Sequence, residues 1–250
     1  MAEIVQTVIP LKKTSLPEYE ESANAIAHHL NLQHEHQEDV ESFYGLRARV
    51  SMGGLEDLQS LVDYHAVLED FEQRGIFDNF MHFNFAWSCA LQEPQNIVSE
   101  HSVSYERSCV MFNLGSVQSY LASRDFQMSD GKPAMLDKAY RQYQLAASLF
   151  NHLRTKFMQL SSFSLDMTNP GLEMLEKIML AQGQACFLEF GIRSSTRQRP
   201  QYSVLAKIAM YSAELFTQGI MLAQSPILMN KVSLIHRNEI VLFMFVVEDT

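Results

Sequence analysis

Helical periodicity between residues 102 and 222 constrains the fold of this chain more than any other feature of its sequence. The most regular part follows the turn-forming sequence Asp130–Pro133, where apolar residues recur every three or four positions. These residues are Leu136, Tyr140, Tyr143, Ala147, Phe150, Leu153 and Phe157. Such spacing places one continuous apolar stripe along an α-helix, and the alternation of large and small residues allows a neighbouring helix to approach closely. The sequence therefore predicts a long helix that packs against others.

Three further segments show comparable periodicity and predict three more long helices: Ser102–Ser123, Leu172–Phe190 and Tyr202–Leu222. Asn169 is predicted to cap the second of them, with Pro170 in its first helical position. Apolar residues occupy more than one face of the last two helices, so a further layer or a partner must cover the second face. Long antiparallel helices of this kind stack as a solenoid. The fold class is therefore predicted to be mainly α.

The first hundred residues predict shorter elements and a small β-sheet. The β-branched run Ile4–Leu11 predicts a strand, and Pro10 favours an edge position for it. The alternating aromatics of Phe80–Leu91 favour a second strand that pairs with the first, although a buried helix start fits the same pattern. Helices are predicted at Glu18–Leu32 and, with clear amphipathic spacing, at Leu55–Arg74.

Charge and cysteine content exclude several classes of function. The formal net charge of −10 argues against a nucleic-acid partner and against a generally basic surface that adheres to membranes. The three cysteines, Cys89, Cys109 and Cys186, are widely spaced in apolar surroundings, which favours a reducing, cytoplasmic compartment without disulfides. The apolar run Ile240–Val247 is far too short to span a bilayer.

Three chemical alternatives are weaker than their structural explanations. A cluster of imidazoles follows the first predicted helix and could share a zinc ion, but a polar, solvated helix end explains it better: His28, His29, His34 and His36. Cys109 with His101 could form a nucleophile and base. Cys109 lies on the apolar face of a predicted helix, where a thiol is usually inert. Asp166 and Glu173 could form an acid–base pair, but a loop residue and a first-turn charge that favours the helix dipole explain them better. No catalytic, metal or cofactor site is predicted.

Five motifs resemble one known family. They are PLKKT (Pro10–Thr14), FAW (Phe85–Trp87), YERSCVMFNLGSVQS (Tyr105–Ser119), YRQYQLAASLFNHL (Tyr140–Leu153) and LDMTNPGLEMLEKIMLAQGQACFLE (Leu165–Glu189). The combination of Y-E-x-x-C-V-x-F-N with M-L-A-Q-x-Q is specific. Over roughly residues 5–222 the chain resembles the BRO domain family, of the ALIX, HD-PTP and rhophilin type.

The resemblance implies a curved helical solenoid with tetratricopeptide-like hairpins and a small sheet near its N-terminus. It also implies a non-enzymatic adaptor of endosomal sorting, cytoplasmic and recruited to endosomes through its partners. The partner that the family implies is the C-terminal amphipathic helix of an ESCRT-III subunit of the charged multivesicular body protein type. That helix enters a hydrophobic patch on the concave face.

Carried across by motif, the partner-binding patch falls on Phe187, Val204 and Ile208, with Lys207 between the two aliphatic residues. Val204 and Ile208 are spaced i, i+4, so they share one face of a helix. Burial of all three in the solenoid core explains the same spacing, and only their exposure distinguishes the two interpretations.

The resemblance weakens after residue 225. We therefore expect an incomplete BRO-like domain at residues 1–225 and a divergent apolar tail at residues 226–250. An alternative to the adaptor function follows: the chain is a truncated regulatory or non-functional fragment of a larger BRO-domain protein, related to the tyrosine-phosphatase or Rho-binding members.

Overall fold

The computed structural model describes residues 6–15, 37–73, 84–92, 96–156, 164–195 and 202–229. Its elements are α1 (Gln37–Met52), α2 (Leu58–Gln73), β1 (Phe85–Ser88), β2 (Ile97–Glu100), α3 (Val103–Met128), α4 (Pro133–Lys156), a 3-10 turn (Leu165–Met167), α5 (Asn169–Ser195) and α6 (Tyr202–Ala223). The predicted mainly helical fold with a small sheet is confirmed. The helix expected at Glu18–Leu32 and the four clustered histidines lie outside the described residues.

The four long helices pack in chain order, α3 on α4, α4 on α5 and α5 on α6, as the solenoid prediction requires. Their shared core is formed by the predicted apolar stripes, in which Tyr143 and Phe150 are completely buried. Cys109 is completely buried in a second cluster, with residues of α1, α2 and β1. Helices α3 and α4 approach closely at Gly115, where an added β-carbon would lie 2.8 Å from Cζ of Phe150. Glycine at this position therefore permits the α3–α4 contact. Among the described helices, none is both long enough and apolar enough to cross a bilayer.

The β-sheet differs from the prediction in its pairing. Strand β1 lies within the predicted segment, but it pairs antiparallel with β2, so that Trp87 is opposite Val98. The N-terminal segment touches β1 at one isolated bridge, between Thr14 and Trp87. The prediction of a strand at Ile4–Leu11 is wrong for its described residues, since residues 6–11 are in no strand.

Before that bridge, residues 6–12 cross the helices, and helix side chains bond to their backbone. The N–H of Ile9 donates to Oγ of Ser119 at 2.9 Å, and the N–H of Lys12 donates to Oδ1 of Asn113 at 2.8 Å. Gln182 on α5 accepts from the N–H of Thr7 and donates to its carbonyl. Buried peptide groups need partners, and these side chains replace those of a neighbouring strand.

The start of α5 differs from the prediction by one residue. The carbonyl of Thr168 accepts from the N–H of Leu172 at 2.9 Å, and its hydroxyl accepts from the N–H of Gly171 at 3.3 Å. Thr168 has extended backbone angles, as an N-cap residue does. Thr168 is therefore the cap, and Asn169, predicted as the cap, is the first helical residue.

Two buried ion pairs were not predicted. Glu106 on α3 accepts from Arg47, from the indole N–H of Trp87 and from the hydroxyl of Tyr64, the last at 2.8 Å, and all four side chains are buried. Burial raises the pKa of Tyr64 well above its ordinary value, so the phenol keeps the proton that it donates. These contacts connect α1, α2 and β1 to α3.

The second pair joins Lys12 to Asp166 at 2.7 Å, and both side chains are fully buried. Asp166 also accepts from the N–H of Ala90 at 2.6 Å, and Ser164 accepts from the ammonium of Lys12 at 2.9 Å. Asp166, interpreted as a loop residue, lies in the 3-10 turn before α5. The buried role of its carboxylate was not predicted: it fixes the N-terminal segment and the residues after β1 to the start of α5.

Candidate functional site

Helices α5 and α6 are antiparallel, and three contacts fix their register. The Leu205 side chain packs against the α-carbon of Gly191, and Oγ of Ser212 donates to the carbonyl of Ala181 at 2.9 Å. Further along, Gly219 faces Ile178. Both helices rise by the same distance per residue. A residue one position closer to the N-terminus of α5 is therefore level with a residue one position closer to the C-terminus of α6.

This register puts residues of the two helices level with one another along one side of the pair. Phe187 lies level with Ile208, and one turn further Gln184 lies level with Tyr211. The opposite side of α5 carries Gln182, which is buried against the N-terminal segment. We call the first side the α5–α6 groove. Its residues are Leu180, Gln184 and Phe187 on α5 and Val204, Ile208, Tyr211 and Leu215 on α6.

The predicted partner-binding residues are accessible in this groove. Phe187 is 40% exposed and Val204 is 45% exposed, whereas Ile208 is half-buried between the two helices. Lys207 is exposed at the rim and forms no ion pair with another described residue. Contiguous apolar side chains open to water favour a binding surface over ordinary core packing.

The apolar surface continues from the groove towards α4. The ring of Phe187 meets that of Tyr140 edge to face, with centroids 4.2 Å apart. Beside this contact a pocket of 320 Å³ lies between α4 and α5, and Phe187 and Phe190 form part of its wall together with Asp137. Phe187 therefore stands between the pocket and the groove, supported from one side by Tyr140.

The catalytic alternatives find no support in the geometry around the thiols. Cys89, Cys109 and Cys186 are all free and buried. Burial raises the pKa of Cys109 to about 12 and that of Cys186 to about 12, so both thiols are protonated at neutral pH. A protonated, enclosed thiol is a poor nucleophile.

Four residues of the groove were not predicted as site residues: Leu180, Gln184, Tyr211 and Leu215. Tyr211 is 49% exposed and continues the Val204–Ile208 stripe by one turn, and Gln184 is half-buried opposite it. The i, i+3 spacing from Ile208 to Tyr211 is visible in the sequence. The level of Gln184 relative to Tyr211 depends on the register of two helices, which the sequence does not reveal.

Comparison with known proteins gives a match to the BRO1-like domain over residues 6–243. The ALG-2 interacting protein X of Dictyostelium discoideum is 30% identical over 190 residues, which make up 73% of this chain and 22% of that protein. The vacuolar protein-sorting protein bro1 of Emericella nidulans is 28% identical over 161 residues, or 64% of this chain and 15% of that protein. The chain thus spans less than a quarter of the length of these curated relatives.

A solved structure of an ALIX BRO1 CHMP4C complex superimposes with a TM-score of 0.77 at 22% identity. The superposition covers 97% of this chain and 70% of that chain. At this level of identity the similarity establishes the fold alone.

Proposed function

The chain belongs to the BRO1-like domain family, and on this premise we propose that it is a non-catalytic adaptor for an ESCRT-III subunit. The partner segment is the C-terminal amphipathic helix of a charged multivesicular body protein, which binds in the α5–α6 groove. Phe187, Val204 and Ile208 are its apolar anchors, and Lys207 is the cation at its rim. The observation that carries this proposal is the exposure of these anchors side by side in one groove.

The energetic argument starts from the apolar area that water now contacts. An amphipathic helix laid along the groove would remove the ring of Phe187 and the methyl groups of Val204 from water, which is the main favourable term in association. Val204 and Ile208 are one turn apart, so one large apolar side chain of the partner can contact both. Recognition of a helix in a groove uses a few such anchors.

The charge pattern fits a partner helix with acidic residues. The chain as a whole carries a formal net charge of −10, which disfavours an acidic partner unless a local positive charge receives it. Lys207 supplies an exposed positive charge one residue before Ile208 in the sequence. A carboxylate of the partner would therefore find its favourable position beside Lys207, which fixes the register of the bound helix.

Two further observations are consistent with this assignment. The solved relative with the same fold is a complex with CHMP4C, and a sequence relative is named for vacuolar protein sorting. Recruitment of this chain from the cytoplasm to endosomes, through its ESCRT-III partner, is part of the proposal. The absence of catalysis is also part of it, and the buried, protonated state of Cys109 and Cys186 supports that view.

A peptide titration tests the proposal. A fluorescent peptide that spans the C-terminal helix of CHMP4C is titrated with the 250-residue chain, and anisotropy reports binding. Ile208→Asp should weaken the affinity by roughly 5- to 150-fold, which corresponds to the loss of about 1–3 kcal/mol expected for an anchor residue. Circular dichroism verifies that the variant is folded.

Met210→Asp is the matched control, because Met210 lies on the same helix, is 68% exposed and points away from the groove. It adds the same negative charge and should leave the affinity nearly unchanged. Equal weakening by both substitutions would reject the groove as the site. Failure of the unaltered chain to bind any peptide of this type would reject the function itself.

A further inference from the structure

The α5–α6 groove contains one level at which both helices present a polar side chain, Gln184 and Tyr211, between levels with apolar side chains. We call this level the polar step. At one level Phe187 lies beside Ile208, and two turns along the groove the half-buried Leu180 lies level with Leu215, which is 3% exposed. Between them, Gln184 and Tyr211 lie level with one another, one carrying an amide and the other a phenol. Tyr211 is 49% exposed and Gln184 is half-buried, so both polar groups are within reach of a ligand in the groove.

We propose that Gln184 and Tyr211 together bind a carboxylate of the partner helix, and that they select partners with Asp or Glu one turn from their main apolar anchor. The main anchor is the side chain that contacts Phe187 and Ile208. This inference rests on the proposed function, because it specifies the partner of the same groove.

Desolvation makes this pair selective. A helix that covers the groove removes water from the phenol hydroxyl of Tyr211 and from the amide of Gln184. A buried donor without an acceptor costs more than a typical hydrogen bond contributes, so an apolar partner residue at this level is penalised. Specificity of this kind depends on the groups that a wrong partner leaves unpaired.

The chemistry of the two groups favours a carboxylate as the acceptor. The phenol donates one hydrogen bond and the amide nitrogen donates two, whereas an ionised carboxylate only accepts. Hydrogen bonds to an ionised acceptor are stronger than those between neutral groups. Lys207 precedes Tyr211 by one turn on α6, towards the end of the groove that contains Phe187 and Ile208, and it adds a positive charge. Glu214 is also exposed, but it follows Tyr211 towards the other end of the groove.

A double-mutant cycle tests the proposal with the complete chain and the CHMP4C C-terminal helix peptide. In the chain, Tyr211→Phe removes only the hydroxyl, and Gln184→Met keeps the length of the side chain without its amide. In the peptide, each Asp and Glu is replaced by Ala in turn. Tyr202→Phe is the matched control, because Tyr202 is 73% exposed on the same helix and lies off the groove.

We expect Tyr211→Phe to lower the affinity about tenfold and Tyr202→Phe to leave it unchanged. One acidic residue of the peptide should lower the affinity similarly when it is replaced. When the chain carries Tyr211→Phe, the same replacement in the peptide should lower the affinity hardly any further, because the interaction is already lost. In the peptide helix, this acidic residue should lie one turn from the apolar residue whose replacement couples to Ile208.

Unchanged affinity in both Tyr211→Phe and Gln184→Met, while Ile208→Asp weakens binding as expected, would overturn the polar step and leave the proposed function intact. Weakening by Tyr211→Phe that is additive with every acidic replacement would also overturn it. Absence of binding by the unaltered chain would remove the proposed function and, with it, this inference.

Discussion

Removal of the buried charge of Glu106 should destabilise the protein more than most single substitutions. Glu106→Gln keeps the shape of the side chain but takes the negative charge away from Arg47, which is also fully buried. An uncompensated charge in the interior costs about 3–5 kcal/mol. A change of 1 kcal/mol shifts the melting temperature of a chain of this size by about 2–4 °C, so a decrease of roughly 6–20 °C is expected.

Urea unfolding followed by circular dichroism measures this loss, with thermal unfolding as a second assay. The double variant Glu106→Gln with Arg47→Met removes both charges and should be more stable than the sum of the single effects predicts. Arg141→Met is the control, since Arg141 pairs with Asp137 on the exposed side of α4. Exposed pairs contribute little, so its stability should hardly change.

A loss below about 1 kcal/mol for Glu106→Gln would refute the reasoning, because the guanidinium of Arg47 would then be stable in the interior without its partner. Strict additivity of Glu106→Gln and Arg47→Met would refute it as well. In that case the two side chains stabilise the fold independently and not as a pair.

Three further predictions concern the cap, the helix contact and the thiols. Thr168→Ala should lower the free energy of unfolding in urea by about 1 kcal/mol, and Asn169→Ala should lower it clearly less. The reverse order would identify Asn169 as the cap. Gly115→Ala should destabilise by about 1 kcal/mol or more through overpacking. Gly45→Ala should stabilise by up to about 1 kcal/mol, because the added carbon would meet no packing neighbour within 4 Å beyond the local backbone of its own helix. Similar effects of the two substitutions would contradict the close contact at Gly115. Cys109 should react with a thiol reagent at pH 8 only at the rate of unfolding, because burial raises its pKa to about 12, and rapid labelling of the native protein would contradict this.

The long helices could be predicted from the sequence because each has an apolar stripe with a period close to that of the α-helix. The predicted segment Tyr202–Leu222 differs from α6 by one residue at its end. The strand at Ile4–Leu11 was predicted from the same kind of local pattern and was wrong. Its backbone partners are side chains more than 100 positions away, such as Ser119 and Gln182, and local composition does not reveal them.

The buried charges were missed for a related reason. Charged residues are almost never fully buried unless they are paired, so a single Glu or Arg in a sequence is expected at the surface. Arg47 and Glu106 are 59 positions apart. Only the packing of α1 on α2 and of α2 on α3 brings them together. Lys12 and Asp166 likewise meet only in the folded chain.

The candidate site was identified by family resemblance and not by spacing. The i, i+4 spacing of Val204 and Ile208 fits a core stripe equally well, and their accessibility depends on how α5 and α6 pack. The domain division at residues 225 and 226 stays a prediction, since most of the expected tail lies outside the described residues. It can be tested by whether helices appended from a longer relative raise the melting temperature of the chain.

Methyl NMR of the 250-residue chain with the CHMP4C helix peptide shows whether the partner helix binds in the α5–α6 groove. The δ1 methyl resonance of Ile208 should shift progressively and saturate as peptide is added, because this methyl lies in the proposed groove. The methyl of Ile97, 66% exposed on β2 and remote from the groove, should keep its position. Binding that shifts Ile97 and leaves Ile208 unchanged would contradict the account.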